Sequence, residues 1–231
     1  MLPLRRFLPV LLSATLLLAS CRENGPVSGS TSPLPFQPSF RTGDRFGYGV
    51  YEISPAGTVV QSSRRRSTWT VAATAAERNG RSGVTVLIDS AAGGGTDTVM
   101  LCVEPGGDVY LFGFLAAVES LRSTHPPAPG WDRVAAFSLG PLARWRVGAL
   151  SASEEKAVYG EVSDGYEYVS VPVNGENIVF PAYRVDYTGE GVDGSMWFAE
   201  EPPCLAIQFV TFWMDTTGRG RWLEHVLRGP G

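Results

Sequence analysis

From residue 40 onward, short runs of β-branched and aromatic residues alternate with turn residues, and this pattern most constrains the fold. Such runs favour strands, and the Gly, Asn and Asp residues between them favour tight turns. Because the connections are short, we predict an antiparallel meander. No long repeat of apolar residues at helical spacing supports an α/β architecture. The expected strands are 45–53, 67–73, 83–90, 96–104, 108–114, 145–152, 158–162, 166–173, 178–187, 196–199, 205–214 and 221–227.

Three hairpin turns are expected, at Pro105-Gly106-Gly107, Ser163-Asp164-Gly165 and Asn174-Gly175. Asp-Gly and Asn-Gly are typical of type I′ turns. One or two helical turns are expected within 114–122, followed by a proline-rich loop at 125–130. The predicted fold is therefore mainly β, with at most one or two short helices. It is a single large, strongly twisted antiparallel sheet that forms a half-barrel or a partly closed barrel.

Residues 1–20 have the three parts of a secretory signal peptide. Arg5 and Arg6 supply positive charge, residues 7–19 form a short apolar run, and Leu18-Ala19-Ser20-Cys21 closes it. A spanning helix needs about 20 apolar residues, so the run is better explained as an export leader. The closing tetrapeptide resembles the lipobox of bacterial lipoproteins. That resemblance implies diacylglycerol on the Cys21 thiol and loss of residues 1–20; an ordinary signal peptide that ends near a cysteine is the alternative.

A lipid on Cys21 would attach the chain to a membrane instead of spanning it, since each buried methylene contributes about 0.8 kcal/mol. Residues 21–39 are rich in Gly, Ser, Thr and Pro and are expected to form a flexible tether. The folded domain is expected at 40–231, a length that suits one β domain. Arg22 stands where an aspartate would mark inner-membrane retention in enteric bacteria. The expected location is therefore the periplasmic face of the outer membrane or the cell surface.

The low charge of the chain excludes one class of partner. Charged residues make up 18% of the sequence, and losing the two leader arginines takes the net charge from −4 to −6. Nucleic-acid binding needs a basic face, so no nucleic-acid partner is expected.

Cys102 and Cys204 remain if Cys21 carries lipid. In an oxidising compartment an even number of cysteines favours a disulfide, and we expect their strands to be sheet neighbours. Two buried free thiols, which pack like small hydrophobic side chains, are the alternative.

Catalytic constellations are not evident in the sequence. The two histidines, His125 and His225, lie in a loop and near the chain end, without the spacing of a zinc site. The pairs Glu154-Glu155 and Glu200-Glu201 do not form glycosidase dyads, because adjacent strand residues point to opposite faces. We therefore expect no enzymatic activity, no metal and no cofactor.

Aromatic and turn patterns resemble those of DUF3108-like bacterial proteins and, more distantly, the lipoprotein carriers LolA and LolB. The resemblance spans most of the chain after residue 40, departs from the pattern at Pro202-Pro203-Cys204, and brings no catalytic residues. It implies a half-barrel whose concave face holds an apolar ligand or an acyl chain. The segments that carry it are Gly43-Asp44, Trp145 within 142–148, Val171-Pro172, residues 180–185 and Met196-Trp197-Phe198-Ala199.

Inward aromatic residues on such a sheet would form an apolar groove, and Trp145, Trp197, Phe198 and Phe209 are its candidates. The simpler interpretation places them in the core of a large β domain. The sequence favours a membrane-anchored, non-enzymatic binding or scaffold module whose partner is a hydrophobic ligand or an envelope protein. The alternatives are a hydrolase built from scattered Glu and His residues and a purely structural partner in an envelope assembly.

Overall fold

The structure, a computed structural model, describes residues 34, 36–53, 58, 60–90, 96–120, 126–150, 157–173, 176–189, 192–200, 204–214 and 220–227. For 50–53, 90, 120, 171–173, 204–214 and 220–227 the description covers the backbone path. These residues form strands, one short α-helix and two 3₁₀ turns, Gln61–Ser63 and Phe137–Leu139. The elements are β1 (Arg45–Ile53), β2 (Arg65–Arg78), β3 (Arg81–Ser90), β4 (Thr96–Val103), β5 (Val109–Phe112), α1 (Phe114–Ser120), β6 (Trp131–Ala135), β7 (Arg144–Ala149), β8 (Ala157–Val173), β9 (Glu176–Gly189), β10 (Val192–Ala199), β11 (Cys204–Met214) and β12 (Gly220–Leu227).

Strand β10 illustrates why these segments form strands. Its residues Val192, Gly194, Met196 and Phe198 are buried, and the residues between them are more exposed until the strand ends. Successive side chains of a strand point to opposite faces, so this alternation gives β10 one inner and one outer face.

All strands belong to one antiparallel sheet with the order β6-β5-β4-β3-β2-β1-β12-β11-β10-β9-β8-β7. The chain meanders outward from β1 to β6, crosses to the opposite edge, and meanders back from β7 to β12. The two meanders join where β1 pairs with β12, for example at Tyr48 and Leu227. The predicted mainly β, antiparallel fold class is confirmed.

The connection between the two edge strands makes the sheet curl. Residues 136–143 link β6 to β7, and nine backbone steps span at most about 32 Å. A flat sheet of this width would place its edges about 53 Å apart, at roughly 4.8 Å per strand. The edges must therefore approach each other, although no backbone ladder joins β6 to β7 in the described residues. The result is the expected partly closed barrel.

Side chains bridge the gap between the edges. The Trp145 indole Nε1 on β7 donates to the Arg133 carbonyl oxygen on β6 at 2.8 Å. The Tyr187 hydroxyl on β9 donates to the Val134 carbonyl oxygen at 2.6 Å. Both acceptors lie on the edge strand β6, so these bonds occupy carbonyls that a neighbouring strand would otherwise use.

The turn expected at Ser163-Asp164-Gly165 is wrong, because β8 runs without interruption from Ala157 to Val173. Its register with β9 shifts between Val162 and Tyr166, which marks a bulge. The Ser163 hydroxyl closes the bulge by donating to the Gly165 carbonyl oxygen at 2.9 Å. The Asp-Gly signal here marks a kink within one strand instead of a reversal.

The folded domain starts earlier than residue 40. Phe36, expected in the tether, is 1% exposed, and its ring lies 4.8 Å from that of Phe137. The Leu34 amide donates to the Phe137 carbonyl oxygen at 3.0 Å. The segment is held because it brings an aromatic side chain to the core. Strand β6 was also not expected; tether residues 21–33 and 35 and the leader lie outside the described residues.

Candidate functional site

The concave side of the curled sheet is the surface on which the sequence predicts an apolar binding groove. The structure places Phe198 on the inner face of β10, where it is 1% exposed. Trp145 is also buried, with its ring against the backbone of Gly160. Trp197 lies on the opposite face from Phe198, because the two are adjacent in one strand. The backbone of Phe209 pairs with Met196, and its side chain is outside the described residues. The four predicted groove residues therefore do not line one surface.

The inner face is occupied by the chain's own aromatic side chains. The Phe137 ring, in the crossing between β6 and β7, lies 5.7 Å from Phe198 and 5.2 Å from Tyr183. Phe36 contacts Phe198 edge-on at 5.9 Å. Among the described residues, this side of the sheet is a packed core, which favours the simpler interpretation of the aromatic residues.

Helix α1 fills the space beside this cluster. Leu115 and Val118 are buried, and the Phe114 ring lies 5.5 Å from that of Tyr187. The Asp132 carboxylate caps the helix by accepting from the Leu115 amide at 2.9 Å. Burial raises the pKa of Asp132 despite this bond.

A buried carboxylate fixes the crossing segment in place. Asp108 is 5% exposed and forms an ion pair with Arg133 of β6. It also accepts from the Ser138 amide at 2.8 Å and from the Ser138 hydroxyl at 2.9 Å. Because these bonds tie the β4–β5 turn, β6 and the crossing together, a structural role explains Asp108 fully.

The outer face of β8, β9 and β10 carries a second charged network. Arg184 binds Glu167 at 2.8 Å and Asp186 at 3.1 Å. The Trp197 indole donates to Glu167 at 2.9 Å, and the Ser195 hydroxyl donates to Asp186 at 2.5 Å. Both carboxylates accept donors from neighbouring strands, so the network joins three strands at a partly exposed surface.

Most residues of the hydrolase alternative lie outside the described part of the chain, so this alternative stays untested. The Glu200 carboxylate accepts a hydrogen bond from the backbone N–H of Gln37 at 2.5 Å. His125, Glu154, Glu155 and Glu201 lie outside the described residues, and for His225 only the backbone is described. Within the described part of the chain, no three His, Cys, Asp or Glu residues are grouped as a metal site requires.

The strands carrying Cys102 and Cys204 are not neighbours, contrary to expectation. Four strands, β3, β2, β1 and β12, lie between β4 and β11. Cys102 is a buried free thiol, as the alternative for this residue states. The side chain of Cys204 is outside the described residues, so pairing in the exported protein stays a prediction. Cys21, the expected lipid attachment site, also lies outside the described residues.

The hairpin of β8 and β9 matches the strands expected at 166–173 and 178–187. It extends beyond the rest of the sheet, which the sequence did not predict. Strand β7 pairs with β8 only up to Glu161, and β10 pairs with β9 only from Tyr183 onward. Residues 166–182, which we call the arm, leave the sheet after the bulge. The turn expected at Ser163-Asp164-Gly165 concealed this extension, because it ended the predicted strand at residue 162.

One face of the arm is exposed. Tyr168 is 78% exposed, Val179 55% and Tyr166 49%. The opposite face includes Phe180 and Ala182, which are buried. This opposite face is covered at the base of the arm and is exposed toward its tip.

The base of the arm meets the N-terminal segment. The Tyr166 ring stacks on Tyr183 with centroids 4.0 Å apart, and Tyr183 contacts Phe137, to which Leu34 is bonded. Burial, with smaller contributions from Tyr166 and the Glu200 carboxylate, raises the pKa of Tyr183 well above its usual range. The chain thus enters the domain at the end from which the arm leaves.

No helix in the described residues has the length and apolar character needed to cross a bilayer. No protein-family model matches the chain, and no curated protein matches it. A crystal structure of a Bacteroides fragilis NCTC 9343 protein, described as exported and as having a YmcC-like fold, is similar at 14% identity. That similarity covers 83% of this chain and 96% of the other, with a TM-score of 0.38. The resemblances to DUF3108-like proteins and to LolA and LolB stay predictions.

Proposed function

We propose that the chain is a lipid-anchored envelope protein and acts as a non-enzymatic scaffold or binding module. The lipobox Leu18-Ala19-Ser20-Cys21 supports the anchor. The observation that carries the module assignment is the occupied inner face, where Phe36, Phe137 and Phe198 pack on one another. A sheet filled in this way presents outer surfaces to a partner.

The N-terminal segment links the anchor to the domain. Phe36 is part of the core, so a lipid on Cys21 is connected to a folded end of the molecule through residues 22–33. The anchor would therefore set which end of the domain faces the membrane, in addition to the compartment. The periplasmic face of the outer membrane or the cell surface is the proposed location.

Intact-mass spectrometry of the chain purified from bacterial membranes tests the anchor. We expect loss of residues 1–20 and a mass gain of a diacylglycerol, usually with a further acyl group on the new N-terminus. Cys21→Ser should lack that gain and keep residues 1–20, because the leader is cut only after the lipid is attached. A mature chain with an unmodified Cys21 would overturn the proposal.

Uptake of lipid probes tests the alternative of an apolar ligand carrier. A chain that begins at residue 22 is mixed with a fluorescent fatty acid, and the scaffold proposal predicts no saturable binding. Saturable binding that Phe137→Trp reduces would instead show that the inner face opens for an acyl chain.

A further inference from the structure

The exposed face of the arm contains no charged residue. Directly opposed residues of an antiparallel pair share a face. The register therefore puts Tyr166, Tyr168, Ser170, Asn177, Val179 and Pro181 on one side of the arm. Both glutamates of the arm, Glu167 and Glu176, belong to the other side. In a chain with 18% charged residues, this side is an uncharged, tyrosine-bearing surface.

Each outer edge of the arm lacks one backbone donor that a further strand would use. Proline has no N–H, so the pairs of Pro181 with Tyr168 and of Pro172 with Asn177 are of the non-hydrogen-bonded kind. Each proline nitrogen then faces an outer edge, where it removes the donor that an added strand would use. Contact through the face is therefore favoured over strand addition at the edges.

Tyrosine beside apolar side chains, without charge, suits the boundary between water and a bilayer. A phenol ring has an apolar body and a polar tip, and tyrosine is enriched at the headgroup level of membranes. Tyr168 and Val179 combine these properties at 78% and 55% exposure. The absence of cationic residues on this face favours a neutral lipid surface over an anionic one.

The position of the anchor brings this face to the membrane. From Cys21 to Leu34 the chain makes thirteen steps, which span at most about 47 Å. Leu34 is bonded to Phe137, Phe137 contacts Tyr183, and Tyr183 stacks on Tyr166. The chain that leads from the lipid therefore joins the domain at the end that bears the arm.

We infer that the face of the arm formed by Tyr166, Tyr168 and Val179 lies against the headgroup region of the bilayer that holds the lipid on Cys21. The inference rests on the proposed lipid anchor. It assigns an orientation to the domain, with the arm on the membrane.

The test uses the mature lipidated chain labelled with 3-fluorotyrosine and reconstituted in phosphatidylcholine–phosphatidylethanolamine vesicles. Tyr166→Phe and Tyr168→Phe assign the two arm signals in the fluorine NMR spectrum. Broadening is measured with a lipid that carries a nitroxide on its headgroup and, separately, with a water-soluble paramagnetic agent. Tyr159, 37% exposed on β8 before the bulge, is the matched internal control.

We expect the lipid nitroxide to broaden Tyr168 severalfold more than Tyr159. We expect the soluble agent to broaden Tyr168 severalfold less than in a chain that begins at residue 22 and is free in solution. Equal broadening of both tyrosines in anchored protein would overturn the inference and leave the anchor intact. Shielding from the soluble agent without lipid broadening would also overturn it, since another protein surface would then cover the arm. A chain whose mass shows no lipid fails the anchor proposal first, and the inference falls with it.

Discussion

Replacing Phe36 with alanine separates a tethered segment from a structural one. In the full mature chain, a flexible tether predicts almost no effect on stability. The structure places the Phe36 ring at 1% exposure, within 6 Å of the centroids of Phe137 and Phe198. The two expectations differ by more than the error of an unfolding measurement.

Phenylalanine-to-alanine changes in protein cores cost about 3–5 kcal/mol. The lower end applies to Phe36, because its segment precedes β1 and can detach instead of leaving a full cavity. Two aromatic contacts prevent a much smaller value, since each contributes about 0.5–1.5 kcal/mol beyond area burial. We therefore expect a loss of about 3 kcal/mol. For a domain of this size, that corresponds to a fall in Tm of about 6–12 °C.

Urea unfolding followed by tryptophan fluorescence gives the free energy of unfolding for wild type and variant. Gln37→Ala is the neighbouring control: its side chain is exposed and donates to the Pro105 carbonyl oxygen at 3.2 Å, so we expect less than about 1 kcal/mol. If Phe36→Ala cost no more than Gln37→Ala, Phe36 would not belong to the core.

Three further changes test the contact between the edge strands β6 and β7, the crossing that links them, and one buried phenol. Gly160→Ala places a Cβ 2.4 Å from the Trp145 ring, which is hydrogen-bonded to the edge strand β6. We therefore expect the free energy of unfolding in urea to fall by about 2–3 kcal/mol. Leu142→Gly should raise stability by about 0.5–1 kcal/mol, because Leu142 has a φ of 58° and a largely exposed side chain. Burial, and to a smaller extent the Asp186 carboxylate, raises the pKa of Tyr187 well above 10.0. Above pH 10 the native state keeps the Tyr187 proton that the unfolded chain releases. The free energy of unfolding is therefore unaffected by this group below pH 10 and decreases above it, by at most about 1.4 kcal/mol per pH unit.

Each change has a control. Gly130→Ala meets nothing within 4 Å and should be nearly neutral; equal losses at Gly130 and Gly160 would contradict the steric explanation. Leu139→Gly, at 45% exposure against 46% for Leu142, should lower stability, and a gain at both sites would rule out backbone strain as the cause. Tyr187→Phe should show a shallower decrease above pH 10; an unchanged slope would mean that this phenol is not responsible.

Local patterns determined the fold class and most strand positions. Strand β1 has the expected bounds, and the helical turns begin at Phe114 as expected. Alternation of buried and exposed residues is a property of neighbouring residues, so the sequence contains it directly. The leader and the lipobox are also local, and their prediction needs no tertiary structure.

The Asp-Gly signal shows where local information is insufficient. Gly165 has a positive φ, which type I′ turns and some bulges both use, so the two differ in what the chain pairs with afterwards. Because Tyr166 pairs with Tyr183 of β9, strand β8 continues past the bulge and the arm forms. No property of residues 163–165 alone distinguishes these outcomes.

The candidate site depended on contacts between distant parts of the sequence. Phe36 contacts Phe137, and Trp145 on β7 donates to Arg133 on β6. Both contacts form because the crossing from β6 to β7 brings the sheet edges together. The sequence by itself determined that this protein is built of antiparallel strands, and it predicts an export leader at residues 1–20. Only the tertiary structure decided that its inner face is filled and that its arm is exposed, because burial depends on which distant side chains arrive at the same place.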